Sequence, residues 1–160
     1  MPGRAEPPVA VTGAARTVLA FDFGERRIGV AVGQEVSATA EPLATVPVRN
    51  GQIDWDAISA LVQTWQPALF VLGRPTTADG APHRLVAAIE RFARRLEGRY
   101  HRPVSLIDER LSSYAAEHDP AVGRYGVDAV AARVILETWF AAPAARTAGT
   151  HETRHDAQDS

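Results

Sequence analysis

The sequence predicts an α/β domain built on a mixed five-stranded sheet with helices on both faces. The chain opens with short apolar runs joined by tight turns, which are typical of antiparallel strands. It continues with apolar runs that alternate with stretches of helical periodicity, which are typical of parallel strands covered by helices. A chain of 160 residues has about the length of one such domain.

Three strands are expected first. The run TVLAFDF, residues 17–23, carries a single charge and predicts a buried strand. The turn Gly24-Glu25-Arg26 then leads into RIGVAVG, so the two strands should form a hairpin. A third strand is expected within residues 38–48, where Pro42 and Pro47 favour an edge position.

Helices and strands alternate in the rest of the chain. Asp54 or a neighbour is expected to cap a helix with one apolar face, made of Ile53, Ala57, Leu61 and Trp65. The run ALFVLG, residues 68–73, predicts a strand covered on both faces. After a loop of turn-forming residues, a second helix should face inward through Leu85, Ile89, Phe92 and Leu96.

The last predicted strand covers residues 103–107 and ends at Asp108-Glu109-Arg110. Ser112 or Ser113 is expected to cap a short helix over residues 114–118. A clear amphipathic helix over residues 127–142 closes the domain.

The expected organisation is one domain over residues 17–142, between a disordered leader (1–16) and a disordered tail (143–160). The leader is rich in Pro, Gly and Ala and lacks the apolar segment of a secretory signal. The chain has no cysteine, which suits a reducing cytoplasm. No apolar run reaches the roughly 20 residues of a membrane span. We therefore expect a cytoplasmic protein that does not enter a membrane.

The basic residues are unevenly distributed, although the net charge is only −2. All 17 are arginine, and seven of them fall between Arg84 and Arg110. Guanidinium groups bind phosphates in a bidentate manner, so this cluster could guide a nucleic-acid backbone. Taken alone, the cluster is better interpreted as a solvated helix face.

Asp22 needs an explanation because charged residues are disfavoured in buried strands. It shares a strand face with Val18 and Ala20, where a carboxylate loses hydration unless it meets a cation or hydrogen-bond donors. A strand interior offers it few other roles.

Two further acidic positions could join Asp22. Asp108 and Glu109 end a later buried strand, and Asp128 shares an apolar helix face with Ala132 and Ile135. Carboxylates that converge in this way would form an oxygen cage for Mg²⁺ or Mn²⁺. Two such ions could activate a water and stabilise the leaving oxygen of a phosphodiester.

Each position also has a simpler interpretation. Asp128 could favour the positive end of its helix dipole. Asp108 could cap the next turn, and Glu109 could pair with Arg110 at the surface. One shared metal site is more economical than three separate explanations.

Four sequence blocks resemble the YqgF/RuvX family of bacterial proteins. They occur in the family's order and cover nearly all of residues 17–140: AFDFGERRIGVAVGQ, LFVLGRPTTADG, VSLIDERLSSYAAE and VDAVAARVILETWF. The resemblance implies an RNase H-like fold and a nuclease that processes the 5′ end of precursor 16S ribosomal RNA. It also implies a structured RNA, or a branched DNA, as partner.

The resemblance assigns the family's acidic site to Asp22, Glu109 and Asp128, with Asp108 beside Glu109. It implies that Gly24 and Gly29 serve close backbone turns and that Arg110 faces the phosphate. Arg74 replaces a usually apolar residue, and Arg124 alone remains of a basic stretch before the last helix. Both arginines are candidate substrate contacts.

Other functions use the same features. A Holliday junction resolvase would need two active centres and hence a dimer, whereas the RNA nuclease could be a monomer or a homodimer. A sugar kinase or actin-like ATPase needs two lobes, for which this chain is too short. A non-catalytic RNA-binding or assembly factor would agree with the reduced basic stretch.

Overall fold

The structure is a computed structural model, and it describes residues 16–75, 85–109, 120–142 and 146–147. Several predicted features lie outside these residues: nearly all of the leader and the tail, the loop after Pro75, Arg110, and the short helix expected over residues 114–118. No helix in the described part of the chain is long and apolar enough to cross a membrane.

Four strands form the antiparallel half of the sheet. They are β1 (Thr17–Asp22), β2 (Arg27–Gln34), β3 (Thr39–Arg49) and β4 (Gln52–Ile53). β1 and β2 form the predicted hairpin, in which Asp22 lies opposite Gly29. The Gly24 turn that joins them is tight, since a Cβ on Gly24 would lie 2.7 Å from the Arg27 carbonyl oxygen.

β3 pairs with β2, and the register shifts between Val30 and Ala31, opposite Pro42. Such a bulge is one of the few places where a strand tolerates proline. Within the described residues, β3 pairs on its other side only through Val48 and Arg49, with β4. The predicted edge character of β3 therefore holds for most of its length.

Helices and strands alternate in the second half, as predicted. The elements are α1 (Trp55–Trp65), β5 (Leu69–Pro75), α2 (Val86–Tyr100), β6 (Val104–Glu109), α3 (Val122–Tyr125), α4 (Val127–Ala141) and β7 (Arg146–Thr147). The Asp54 carboxylate caps α1 by accepting a hydrogen bond from the Ala57 N–H at 3.1 Å.

The predicted inward face of α1 was wrong in part. The buried residues of this helix are Ile58 and Val62, whereas Ala57, Leu61 and Trp65 pack at the margin of the core. Ile53 belongs to β4, because the helix begins only after the Asp54 cap. The helix face that packs on the sheet is therefore rotated relative to the face that the spacing of the apolar residues predicted.

The strands lie in the order β4-β3-β2-β1-β5-β6-β7, and β1, β5 and β6 run parallel. The mixed sheet is confirmed, but it has seven strands rather than five. β4 and β7 contain two residues each, which is too few to leave an alternating pattern in the sequence. β7 pairs with Leu106 and Ile107 of β6, so the sheet continues past the predicted domain end at residue 142.

Helices cover both faces of the sheet, as predicted. On one face, here called the α1–α2 face, the buried cluster includes Phe21, Phe70 and Phe92. On the opposite face, here called the α4 face, Ala20 packs with Ile135 and Trp139 of α4. A side chain at the end of a strand therefore lies either on the α1–α2 face or on the α4 face, each with its own buried cluster.

Candidate active site

Asp22 ends β1, the strand at the centre of the sheet. Val18 and Ala20 are buried in the α4 cluster, and Leu19 and Phe21 are buried in the α1–α2 cluster. Strand alternation therefore assigns Asp22 to the α4 face, in agreement with the sequence prediction. Asp22 is partly buried and takes part in a polar or electrostatic interaction.

Gly29 lies between Asp22 and the first turn of α4. It is the cross-strand partner of Asp22, and it is buried. A Cβ on Gly29 would lie 1.9 Å from the carbonyl oxygen of Asp128 and 2.8 Å from the amide nitrogen of Ala129. The first turn of α4 thus rests directly on the Gly29 backbone, which brings Asp22 and Asp128 to neighbouring positions on the α4 face.

A run of small residues on β2 allows α4 to lie close to the sheet. Ala31 is buried against α4, and a Cβ on Gly33 would lie 2.7 Å from the Leu136 side chain. Both positions share the strand face of Gly29. The helix therefore lies close to β2 over most of its length, and the sequence positions that permit this are Gly29, Ala31 and Gly33.

Asp128 lies in the first turn of α4 and forms an ion pair with Arg27, with 2.7 Å between Oδ2 and Nε. Its side chain is 28% exposed, and that of Arg27 is 54% exposed. The pair joins residues 101 positions apart, at the start of β2 and the start of α4. Arg27 was not among the predicted site residues, although Arg26-Arg27 beside the hairpin turn was a visible signal.

Asp108 is not brought together with Asp22 and Asp128. Its strand neighbours Val104 and Leu106 are buried in the α1–α2 cluster, so alternation assigns Asp108 to that face. There it lies opposite Arg74 in register, and Arg74 Nε donates to Asp108 Oδ1 at 3.3 Å. The side chain of Asp108 is 60% exposed. The prediction that Asp108 joins Asp22 as a metal ligand therefore finds no geometric support.

Glu109 pairs through its backbone with Pro75, and its side chain lies outside the described part of the structure, as does Arg110. Among the side chains that are described, no three acidic or histidine residues come together as a metal-binding group. The described acidic site therefore consists of two carboxylates, Asp22 and Asp128, with Arg27 bound to the second.

The predicted substrate contacts lie in different places. Arg74 pairs with Asp108 on the α1–α2 face, away from the acidic pair. Arg124 lies in α3, just before α4, and its guanidinium stacks 5.3 Å from the ring centre of Tyr125. Gly24 has a structural role, because it allows the tight turn between β1 and β2.

The sheet topology defines a fold class. A mixed sheet with an opening hairpin, parallel strands after it and an acidic residue at the end of the central strand is the RNase H-like fold. T. thermophilus RuvC, solved in complex with a Holliday junction substrate, superposes on this chain with a TM-score of 0.50 and 14% sequence identity. The match covers 80% of this chain and 95% of the RuvC chain, and it shows that the two share a fold.

The chain belongs to the RuvX family. The family model, described as "RuvX: Holliday junction resolvase", matches residues 16–142. The resemblance found in the sequence is thereby confirmed, and the chain is a member of a nuclease family.

Relatives in several bacteria support this assignment. A protein of Marinobacter nauticus is 47% identical over 131 residues, which cover 78% of this chain and 92% of that protein. Proteins of Hahella chejuensis (44% identical; 80% and 85% covered) and Dechloromonas aromatica (45% identical; 79% and 92% covered) are similar. All three carry the name "Putative pre-16S rRNA nuclease".

Proposed function

We propose that this protein is a metal-dependent endonuclease that processes the 5′ end of precursor 16S ribosomal RNA. The observation that carries the proposal is the juxtaposition of Asp22 and Asp128 across Gly29, in a chain of the RuvX family. Partly buried carboxylates on rigid elements provide the hard oxygen ligands that Mg²⁺ and Mn²⁺ prefer. The names of the relatives indicate the RNA substrate.

Asp22 would be the central ligand, because it ends a strand that is paired on both sides and therefore has little freedom to move. Asp128 would approach from α4, and Glu109 would complete the set. Ile107 packs against α4, and position 109 is two residues further along the same strand. We propose that these residues would hold two such ions. The chemistry that such ions supply is activation of a water and stabilisation of charge on the leaving oxygen.

Arg27 would act as a positioning residue. Its ion pair holds the Asp128 carboxylate in one orientation and offsets part of the negative charge of the acidic pair. Two carboxylates held near each other repel, so a cation at Arg27 lowers the free energy of this arrangement before a metal ion binds. About half of the Arg27 side chain is exposed, so it could also meet a substrate phosphate.

The test is cleavage of a labelled precursor RNA by the purified protein in Mn²⁺ and in Mg²⁺, with DNA of the same sequence as comparison. We expect the wild type to cut RNA and Asp22→Asn to lose the activity. Asp56→Asn is the matched control, because Asp56 lies exposed on α1. Cleavage by Asp22→Asn at the wild-type rate would contradict the proposed site.

A Holliday junction resolvase is the second candidate, and the description of the family model favours it. This activity needs two active centres in a symmetric dimer. Four-way DNA junctions cut at symmetric positions, together with a dimer in sedimentation, would favour it over the RNA nuclease. RNA binding without cleavage in any divalent cation would instead indicate an assembly factor. The cytoplasmic location stays a prediction from the sequence.

A further inference from the structure

A cavity of about 440 Å³ lies on the α1–α2 face, on the opposite side of the sheet from Asp22 and Asp128. Its volume falls within the range of about 300–1,000 Å³ that is usual for small-ligand sites. The residues that matter for its chemistry are Phe23, Glu25, Ile53, Arg91, Phe92 and Arg95. The cavity has no part in the acidic site described above.

The interior of the cavity is largely apolar and aromatic. The ring centres of Phe23 and Phe92 are 5.3 Å apart, and Trp55 packs on Phe92 at 5.6 Å. Flat aromatic surfaces of this kind stack on nucleobases of any sequence. Because the interior is apolar, an uncharged base is a better occupant of it than a bare phosphate.

The rim of the cavity is basic. Arg91, Arg95 and Arg99 are exposed and spaced four residues apart, so they follow one flank of α2. The guanidinium groups of Arg95 and Arg99 lie 5.0 and 4.2 Å from the ring centre of Trp55. In the described part of the chain, no carboxylate forms an ion pair with Arg91 or Arg95. Their N–H groups are therefore available to phosphate oxygens.

The cavity and the acidic site are adjacent along the chain. Phe23 lines the cavity and directly follows Asp22, which alternation assigns to the other face. Consecutive Cα atoms are only about 3.8 Å apart. A strand whose phosphate lies at Asp22 could therefore pass over the Gly24-Glu25 turn and reach the cavity within one or two nucleotides.

We propose that this cavity binds an unpaired nucleotide next to the scissile phosphate of the RNA. The base would stack on Phe23, whose ring is partly exposed and packs on the buried Phe92, and a neighbouring phosphate would lie on Arg91 and Arg95. The proposal deepens the proposed nuclease function and rests on it for the identity of the ligand. It assigns a role to part of the arginine cluster that sequence reasoning alone interpreted as a solvated helix face.

Binding is measured on Asp22→Asn protein, so that cleavage does not interfere, by fluorescence anisotropy with labelled oligoadenylate over a range of salt concentrations. We expect Arg91→Gln and Arg95→Gln each to weaken binding several-fold. Each should lower the slope of log affinity against log salt by about 0.7, because one phosphate is no longer neutralised. Arg94→Gln is the matched control, because it removes the same charge from an exposed residue of α2 that does not line the cavity, and it should keep the slope.

The base-stacking interaction is tested with an abasic oligonucleotide of the same length. We expect it to bind at least about fivefold more weakly than oligoadenylate, because it has no base to stack on the aromatic rings. Phe23→Leu should weaken binding of oligoadenylate and leave binding of the abasic strand unchanged. Equal affinity for both strands, or equal effects of Arg95→Gln and Arg94→Gln, would overturn the proposal. Since the readout is binding, it is distinct from the test of cleavage.

Discussion

Gly29 lies directly beneath the Asp128 carbonyl, so closely that a Cβ on residue 29 would be only 1.9 Å from that oxygen. The cross-strand partner of Gly29 is Asp22. Gly29 thus sets both the separation of the first turn of α4 from the sheet and the proximity of the two acidic residues. Any side chain at this position has to push the first turn of α4 away from β2.

Gly29→Ala is therefore expected to destabilise the protein by at least about 2 kcal/mol, because the clash is with backbone that cannot rotate away. Urea unfolding followed by circular dichroism measures the change. Gly98→Ala is the control, since Gly98 is exposed on α2 with open space around it. This substitution should stabilise the helix by about 0.5–1 kcal/mol. Equal stability of the two variants would show that α4 does not rest on Gly29.

Arg27→Gln should change Mn²⁺ binding while it leaves folding nearly intact. The Arg27–Asp128 pair is partly exposed, so its removal should cost no more than about 1 kcal/mol of stability. Without the competing guanidinium, we expect Asp128 to bind Mn²⁺ about three- to tenfold more tightly. Electron paramagnetic resonance of free Mn²⁺ during titration measures the affinity.

Arg26→Gln is the matched control for this prediction. It removes the same charge one residue earlier, from an exposed side chain outside the ion pairs of the described residues. If Arg26→Gln and Arg27→Gln shift Mn²⁺ affinity equally, the effect is only one of net charge, and the pairing with Asp128 has no specific role.

Ser105→Ala tests the other end of the interface between α4 and the sheet. The Trp139 indole N–H donates to the Ser105 hydroxyl at 2.9 Å, and Trp139 is only 3% exposed. Removal of this acceptor beside a buried donor should cost about 1–2 kcal/mol. Ser37→Ala, in an exposed turn, should change stability by less than about 0.5 kcal/mol. Coincident urea midpoints of the two variants would refute the importance of this hydrogen bond.

The position of Asp22 at the end of β1 could be predicted because it is the one charge in an apolar run, and alternation puts it on the strand face of Val18 and Ala20. The helical spacing of Asp128 from Ala132 and Ile135 likewise indicated its inward face, and the structure agrees. Both predictions needed only the local periodicity of a strand or a helix. The Gly-x-Ala-x-Gly pattern of β2 was visible as well, but not the helix that would pack on it.

The sheet face that Asp108 occupies could not be predicted in the same way. β6 is covered on both faces, so Leu106 and Ile107 are both apolar and the sequence does not reveal which face each residue occupies. The Arg27–Asp128 ion pair could not be predicted from the sequence either, because the two residues are 101 positions apart and meet only where α4 packs on β2. Long-range contacts of this kind depend on the assembled sheet.

Three isosteric substitutions test whether a single acidic site on the α4 face cuts RNA. The measurement is the single-turnover rate of precursor RNA cleavage in Mn²⁺ for Asp22→Asn, Asp128→Asn and Asp108→Asn. We expect the first two substitutions to lower the rate at least about 100-fold. We expect Asp108→Asn to stay within about fivefold of wild type, because it removes only an exposed ion pair with Arg74. Full activity of Asp22→Asn, or a loss of activity confined to Asp108→Asn, would show that the α4 face does not carry the cleavage site.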